Sequence, residues 1–431
     1  GKSDPVPMCG VPVHSADGYI KKLAELGHRV AICEQVEAAA GGKGLLRREV
    51  VEVITPGLVG DPAGLESRSE VAVLAIVGPP ANEDWGLASL EVSTGDFRTT
   101  RVTGSGERAE GLLLEEIQRV APREILLREQ ERECYGDRLA ERLPGVALTV
   151  VAAEMFDSAS APVCPDGFDP DSTAAEMRAA AAVLSYLGRN QPAALAHAPR
   201  LRPYRLGESM VLDAATRAHL ELFENAEDRG RQHTLIDLLD RASTPLGSRR
   251  LSRWLRYPLV DPVRIAGRQD AVAYLADRDR MRGRVREKLK PVRDLERLLA
   301  RAIRQNASPR DLGALRDSLA ALLPVADELL SLGAASGEPS QTGSPLPEAL
   351  RVPEPLESLV ERLQEGLVDD PPVIPRGSRG VNETGYIRQG FRPELDELRE
   401  SARRGREWIA ELEQNEREAT GITTLKVRFH P

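Results

Sequence analysis

Two glycine-rich segments are the closest approach of this chain to a phosphate-binding loop. Such a loop has the spacing G-x-x-x-x-G-K-[ST]: backbone N–H groups surround the phosphates, the Lys reaches them, and the hydroxyl holds Mg²⁺. Gly41-Gly42-Lys43-Gly44 and Gly104-Ser105-Gly106 lack both this spacing and the Lys-Ser/Thr pair. We therefore expect ordinary loops at both segments, no cofactor in this chain, and neither binding nor hydrolysis of ATP by it.

Two carboxylates near a predicted hairpin raise the question of metal-dependent hydrolysis. Glu91 and Asp96 are the candidates, because two-metal catalysis needs several acidic groups that converge on ions a few Å apart. Asp96 falls in a predicted turn and no further acidic partner is evident at the strand ends, so structural roles are favoured. The cysteines form no C-x-x-C pair and the histidines no H-E-x-x-H, so no metal site is predicted.

Three basic residues occupy a position suited to binding phosphates. Lys43, Arg47 and Arg48 lie on a glycine-rich loop just before a predicted strand. Charges placed there can reach backbone phosphates, which position a protein on DNA without specifying sequence. The alternative interpretation is solvated loop charge.

The elements that position these residues divide the chain into an α/β part and a helical part. Ser15 and Gly27 delimit a predicted helix, and a short buried strand, 29–33, follows it; residues 1–5 offer no element for this strand to pair with. Alternating patterns predict further strands, with a hairpin turn at Thr94-Gly95-Asp96. The predicted strands are Glu49–Thr55, Ala72–Val77, Trp85–Thr94, Phe97–Val102 and Glu124–Leu127, with a helix at Leu112–Val120.

From Ala214 onward the pattern is helical, interrupted by predicted loops at Ser331–Pro355 and Asp369–Gly380. The last predicted helix carries a heptad seam between Phe391 and Leu412, which favours packing along another long helix. The other predicted helices are Ala214–Asn225, Thr234–Arg241, Gly247–Arg256, Val263–Leu275 and Asp294–Gln305.

Composition bounds these expectations. A chain of 431 residues is expected to form two to four domains. It has no run of 18 apolar residues, so we expect a soluble, intracellular protein without a membrane partner. Residues 241–310 hold 19 Lys and Arg against 7 Asp and Glu, a balance of +12, which leaves −21 for the rest of a chain of net charge −9. This run is either solvated helix surface or a surface that faces DNA or a partner.

Sequence blocks along the whole chain resemble, in order, the MutS family of DNA mismatch-repair sensors. The first is the Pro-Met-x-Gly-x-Pro-x-His motif at 7–14, followed by a helix and Ala-Ile-Cys-Glu-Gln at 31–35. The later blocks are Val53–Gly57, Leu90–Phe97, Leu212–Arg217, Thr244–Arg249, Arg253–Leu255, Asp294–Arg297 and Glu416–Gly421.

The resemblance implies a multidomain chain of α/β and all-α parts. It implies the rear of an α/β mismatch-recognition domain at 1–66 and an RNase H-like α/β connector at 67–206. A helical core and lever would follow at 207–412, and the beginning of a clamp at 413–431. The chain is then expected to be a fragment of a longer mismatch-recognition protein, since the opening motif is not preceded by an initiator Met.

The resemblance also implies site residues. Met8 takes the motif position that reaches the minor groove near a lesion, with an ordinary core methionine as the alternative. Lys426, Arg428 and His430 begin the clamp, although relatives typically carry Gly and Asn at the latter two positions. Glu49 stands where the family is often basic, which weakens the phosphate patch. The family's wedge aromatic and its partner Glu precede this motif, so we expect backbone contacts with little mismatch discrimination.

The partners implied by the family are mismatched double-stranded DNA, a second copy in a homodimer, and a downstream factor of the MutL type. ATP and Mg²⁺ would bind a C-terminal P-loop domain of the longer protein, and the location would be the bacterial cytoplasm at the nucleoid. Three alternatives stay open: a MutS-like recombination protein without mismatch sensing, a coiled-coil scaffold, and a connector-based nuclease. Residues 7–35 count against the first, because such relatives usually lack this domain.

Overall fold

The first unit of the fold is a helix followed by a hairpin. A computed structural model describes the chain at residues 9–12, 15–35, 47–59, 70–78, 84–104, 106–170, 174–195, 200–304, 306–335, 354–372 and 385–427. Helix α1 (Ala16–Glu25) ends before Gly27, whose φ of +86° suits glycine. Strands β1 (Val30–Gln35) and β2 (Arg48–Ile54) then pair antiparallel.

The hairpin corrects the expectation for its first strand. We expected a buried strand at 29–33; β1 instead has four of its six residues exposed, and it pairs along its length with β2, which follows it in the chain. The reason is that the two strands form a sheet of their own, which α1 covers only in part.

A six-stranded mixed sheet forms the second unit. Its order is β7-β6-β3-β4-β5-β8; β3, β4 and β5 are antiparallel neighbours, whereas β6 and β7 continue parallel to β3, and β8 lies parallel to β5. The turn before β5 contains Gly95 at φ +73°. The strands are β3 (Val73–Val77), β4 (Trp85–Glu91), β5 (Asp96–Val102), β6 (Glu124–Leu127), β7 (Ala147–Val150) and β8 (Leu201–Pro203).

Helices cover both faces of this sheet. Residues of β3 alternate between two cores: Val73 and Val77 face one, and Leu74 and Ile76 face the other, so the whole strand is buried. Helix α4 (Ala175–Asn190) covers the first face, and α2 (Glu107–Val120) with α3 (Glu129–Arg142) covers the second. The short α5 (Pro192–Leu195) follows α4.

Helix α4 approaches the sheet closely because both surfaces are small. Ala179, Ala180 and Ala182 are fully buried against the strands. At Gly86 of β4, an added Cβ would lie 2.0 Å from the carbonyl carbon of Ala175. The alanine-rich stretch that sequence patterns left unassigned is therefore the best-buried helix of this unit.

The third unit is helical. Several of its helices begin at a side-chain cap: Asp213, Thr244 and Asp294 accept the backbone N–H of the third following residue. All three caps lie in motif blocks that carry the family resemblance. The helices are α6 (Ala214–His219), α7 (Leu235–Leu239), α8 (Pro245–Arg256), α9 (Pro262–Ala276), α10 (Asp279–Leu289), α11 (Leu295–Ile303), α12 (Pro309–Ala335), α13 (Glu354–Gly366) and α14 (Pro393–Thr420).

Two predicted boundaries are wrong in this unit. The helix predicted over Ala214–Asn225 ends at His219, and Glu221 adopts a φ of +45° that no α-helix continues. Conversely, α12 extends to Ala335, into the loop predicted from Ser331. Helices α10, α12 and α13 were not predicted.

The predicted heptad seam lies on α14. Leu398 on this seam is 68% exposed, and the site of a Cβ at Gly405 has no heavy atom within 4 Å. In the part of the chain that the structure describes, no helix packs along this seam. The chain thus has a mixed α/β part and a helical part, and none of its described helices is long and apolar enough to cross a membrane.

The contact between Gly86 and α4 predicts a large effect of one methyl group. Gly86→Ala is expected to lower the free energy of unfolding by about 3 kcal/mol, because backbone atoms cannot move aside as a flexible side chain does. Urea unfolding measures this change.

Gly111→Ala in α2 is the matched control, since its added Cβ meets no atom within 4 Å. It should be neutral or raise stability by about 0.5–1 kcal/mol. Equal behaviour of the two variants would contradict the close packing of α4.

Candidate nucleic-acid interface

The predicted phosphate contacts of the hairpin lie at the start of β2. Arg47 precedes the strand, and Arg48 is its first residue, opposite Gln35 of β1; both arginines are exposed. Arg47 Nη2 lies 2.5 Å from Glu49 Oε1, so an acidic neighbour compensates part of this charge. Met8 and Lys43 lie outside the described residues.

Lys426 lies in a different unit, at the end of the helical part. After α14, Gly421 at φ +70° ends the helix and the chain folds back on it. Arg417 Nε donates to the Leu425 carbonyl at 2.8 Å, and the Val427 amide donates to Glu413 Oε2 at 3.0 Å. These bonds hold the exposed Lys426 beside the helix terminus. Arg428 and His430 lie outside the described residues.

A buried carboxyl group connects the hairpin unit to the six-stranded sheet. Glu124 of β6 is fully buried and accepts four hydrogen bonds. The hydroxyls of Thr149 and Tyr186 donate from within the sheet unit, each at 2.7 Å. Thr55 Oγ1 at 2.5 Å and the Gly57 amide at 3.0 Å donate from the segment that follows β2.

The same contacts explain the Val-Ile-Thr-Pro-Gly motif at 53–57. A Cβ at Gly57 would lie 2.7 Å from Glu124 Cβ and 2.9 Å from Val73 Cβ, so only glycine fits there. Arg29 Nη2 donates to the Tyr186 hydroxyl at 2.5 Å. Burial and the charge of Glu124 raise the pKa of Tyr186, which keeps this hydroxyl protonated as a donor.

Charged side chains connect the sheet unit to the helical unit. We refer to this contact and to the contact at Glu124 as the two joints. Asp96 at the start of β5 accepts a hydrogen bond from Arg98 Nε at 3.1 Å and another from Arg253 of α8. Arg256 Nη1 lies 3.4 Å from Glu70 Oε2. Because α8 contains the Arg-Trp-Leu motif at 253–255, this block serves the joint.

Glu91, the other carboxylate considered for hydrolysis, is buried at the same joint. The hydroxyls of Ser93 and Thr94 donate to it. Burial raises its pKa to about 7, against the lowering effects of both hydroxyls and of the Arg297 charge. Among the described residues, no group of three His, Cys, Asp or Glu side chains could hold a metal ion. What the structure shows for Glu91 and Asp96 is their hydrogen bonds at this joint.

Two further motif blocks bind each other. Arg249, in the Thr-Pro-Leu-Gly-Ser-Arg block, donates to both oxygens of Asp294 at 2.6 and 2.7 Å and to Glu296 at 2.6 Å. Burial disfavours the charged guanidinium, but the hydrogen bonds from both carboxylates outweigh it and raise the pKa of Arg249. This arrangement fixes α8 against the start of α11.

Sequence patterns missed the residues that form the joints. Glu124 was recognised only as the first residue of a predicted strand, because its partners Thr55, Thr149 and Tyr186 lie far apart in the chain. The motif at 53–57 was the one available signal, since it places a hydroxyl and a glycine two residues apart.

Comparisons with known proteins match the three units in order. The MutS domain I family model matches residues 1–63, MutS domain II matches 71–199, and MutS domain III matches 215–421. The chain belongs to the MutS family.

Curated members of the MutS family are similar over nearly the whole chain. The DNA mismatch repair protein MutS of Syntrophobacter fumaroxidans is 38% identical over 434 residues, which cover 99% of this chain and 46% of the relative. That of Listeria innocua is 36% identical over 430 residues, 100% of this chain and 47% of the relative. That of Desulfosudis oleivorans is 38% identical over 440 residues, which cover 99% of this chain and 48% of the relative. The chain thus spans about half the length of these MutS relatives.

The hydrogen bonds at Glu124 predict a large loss of stability when this side chain is removed. Glu124→Ala should lower the free energy of unfolding by about 3–5 kcal/mol, since it leaves buried donors of Thr55, Gly57 and Tyr186 without an acceptor. Urea unfolding provides the value. Glu129→Ala, at an exposed position of α3, is the control. An equally small change in the free energy of unfolding for both substitutions would contradict the role of Glu124 in connecting the hairpin unit to the sheet.

Glu91 predicts a pH dependence of stability. Its folded-state pKa of about 7 lies above the ordinary value of 4.5, so the folded protein holds this proton more tightly than the unfolded chain. Its stabilising contribution is complete below pH 4.5 and is lost as the pH rises through 7. Between pH 4 and 8, wild type should lose about 3 kcal/mol relative to Glu91→Gln.

Denaturant unfolding of both proteins across this pH range tests the prediction, with Glu129→Gln as the matched control. A difference between wild type and Glu91→Gln that does not change with pH would show that Glu91 does not titrate in this window.

Proposed function

We propose that this chain contributes the DNA-contacting and signal-carrying parts of a sensor that recognises mismatched double-stranded DNA in DNA mismatch repair. The observation that carries the proposal is the ordered match of MutS domains I, II and III to 399 of the 431 residues. It is supported by relatives named DNA mismatch repair protein MutS at 36–38% identity.

In this proposal the hairpin unit approaches the DNA. Lys43, Arg47 and Arg48 contact backbone phosphates, and Met8 reaches the minor groove near the mismatch. Phosphate contacts add affinity without sequence information, whereas a mismatched step is recognised because it bends and unstacks more easily than a paired one. Lys426 and Arg428 contact phosphates from the clamp.

The two joints support a mechanical role for the middle of the chain. The hydrogen bonds of Glu124 fix the segment after β2 to the sheet, and the Asp96–Arg253 contact fixes the sheet to α8. A displacement of the hairpin on DNA would therefore reach the helical unit through buried and half-buried polar contacts that do not stretch easily.

We infer the following domain roles. The rear of the mismatch-recognition domain extends over 1–66, the connector over 67–206, the core and lever over 207–412, and the start of the clamp over 413–431. An RNase H-like fold of the connector is supported by its strand arrangement, a three-stranded antiparallel meander continued by parallel β6 and β7.

The remaining partners are proposed for the longer protein. ATP and Mg²⁺ would bind a C-terminal P-loop domain, as the resemblance to the MutS family implies. The longer protein would act as a homodimer, recruit a MutL-type factor, and work at the bacterial nucleoid in the cytoplasm. The names of the relatives do not favour a recombination protein or a coiled-coil scaffold.

The DNA-binding proposal predicts a specific salt dependence. In the full-length protein, replacing Lys43, Arg47 and Arg48 with Ala should weaken homoduplex and mismatched DNA by similar factors. It should also flatten the slope of log K against log salt by up to about 2.7, one counterion release for each lost contact. Fluorescence anisotropy on a 30-base-pair duplex, with and without one G·T pair, measures both quantities.

An unchanged slope would assign these residues to solvated loop charge, and a selective loss of mismatch binding would make them readers of the lesion.

Mismatch repair itself is tested by a mutation-rate assay. The full-length gene should lower the spontaneous mutation rate of a bacterial strain that lacks this function, and failure to do so would reject the proposed role.

A further inference from the structure

A second cluster of positive charge lies at the junction between the sheet unit and the helical unit, away from the hairpin. Arg250 and Arg268 lie over the Trp254 ring here, four further arginines lie near these two, and we refer to the six together with this tryptophan as the arginine patch. Its members are Arg98, Arg202, Arg250, Arg253, Trp254, Arg264 and Arg268.

Two helices and two strands bring these side chains together. On α8, Arg250 and Trp254 are one turn apart, so their side chains share a face. Arg268 of α9 stacks on the Trp254 ring with its guanidinium carbon 4.1 Å from the ring centroid, and Arg250 lies 5.8 Å from the same centroid. Arg98 of β5 stands opposite Arg202 of β8 in the parallel register.

Most of this charge has no compensating carboxylate. Asp96 serves both Arg98 and Arg253. Within the described ranges, Arg202, Arg250, Arg264 and Arg268 have no carboxylate oxygen within the 4.0 Å of an ion pair. Burial and then the charges of Arg253, Arg98 and Arg202 lower the pKa of Arg250, and burial followed by Arg250 and Arg264 lowers that of Arg268. The fold thus holds like charges together although they repel.

We propose that the arginine patch binds the phosphate backbone of double-stranded DNA as a contact separate from the hairpin. The inference takes the identity of the polyanion from the proposed function, but it does not depend on mismatch recognition.

The chemistry favours phosphates over other ligands. The planar guanidinium group presents a fork of donors that matches two phosphate oxygens, and the patch contains arginine without lysine. Stacking on the indole holds Arg268 in place before a ligand arrives, which reduces the entropy lost on binding. Because arginines lie over this ring, Trp254 orients them and does not offer a platform for a base. The patch is therefore expected to read no sequence.

The test replaces three patch arginines in the 431-residue chain. Arg250→Ala, Arg264→Ala and Arg268→Ala together should weaken binding to a 30-base-pair homoduplex on the order of 100-fold at 0.1 M salt, and flatten the salt slope by up to about 2.7. The matched control removes Arg189, Arg280 and Arg362, which are exposed arginines spread over other surfaces and cause the same change in net charge. This control should leave affinity and slope near the wild-type values.

Three further measurements separate geometry, charge and folding. Lysine at the same three patch positions should keep most of the slope of log K against log salt, because the charges remain. Affinity should fall, because the forked guanidinium donors and their stacking on Trp254 are lost. On a Trp408→Phe background, DNA should protect the 37% exposed Trp254 from acrylamide quenching. The triple Ala variant should melt close to wild type, because the repulsion that it removes offsets the stacking on Trp254 that it loses.

An unchanged slope in the patch variant, or an equal loss in the control, would overturn the proposal. Loss of binding to poly-L-glutamate with unchanged DNA binding would overturn it in favour of an acidic protein partner. In the full-length protein, absence of mismatch preference together with patch-dependent homoduplex binding would reject the proposed function alone. The converse result, mismatch preference with a patch-independent slope, would reject this inference alone.

Discussion

The position of the first unit depends on one buried carboxyl group. Glu124 accepts hydrogen bonds from a strand, from a helix and from the segment that leaves the hairpin, so three parts of the chain meet at one side chain. A buried acceptor of this kind tolerates little displacement, because any donor that moves away leaves an unsatisfied polar group in a dry interior. The hairpin is thereby tied in distance and in angle to the sheet, although its own strands are largely exposed.

Electrostatics distinguish the second joint from the arginine patch beside it. At the joint, Asp96 shares its oxygens between Arg98 and Arg253, and Glu70 faces Arg256, so positive and negative groups are matched. At the patch, arginine side chains share one tryptophan with too few acidic groups. A protein of net charge −9 that concentrates positive charge at one place can leave most duplex DNA readily and still contact it locally.

Much of the architecture could be predicted from the sequence where local chemistry decides it. Strand β6 has the predicted bounds, and α8 ends at the predicted Arg256, although it begins at Pro245, after the Thr244 cap, and not at Gly247. Helix α4 escaped prediction because its alanines are buried on several sides and show no polar face. The burial of β1 was predicted wrongly, since a pattern of apolar residues does not reveal how many layers cover a strand.

The candidate site divides in the same way. Arg47, Arg48 and Lys426 were predicted from charge and motif position, and the structure leaves all three exposed. The roles of Glu124 and of the arginine patch could not be predicted, because each depends on residues that tertiary folding brings together from distant segments. The pairing of Arg249 with Asp294 is an intermediate case: both motif blocks were visible, but not their contact.

The contacts of residues 55–58 have a consequence for how such proteins can be recombined. Thr55 and Gly57 bind Glu124, and Leu58 is fully buried in the core of the sheet unit, with its carbonyl accepting from Gln191 at 2.7 Å. By packing, these residues belong to the second unit although they precede it in the chain. A chimera that exchanges the hairpin between relatives should therefore place its crossover before Val53, so that the acceptor and its donors are inherited from the same parent.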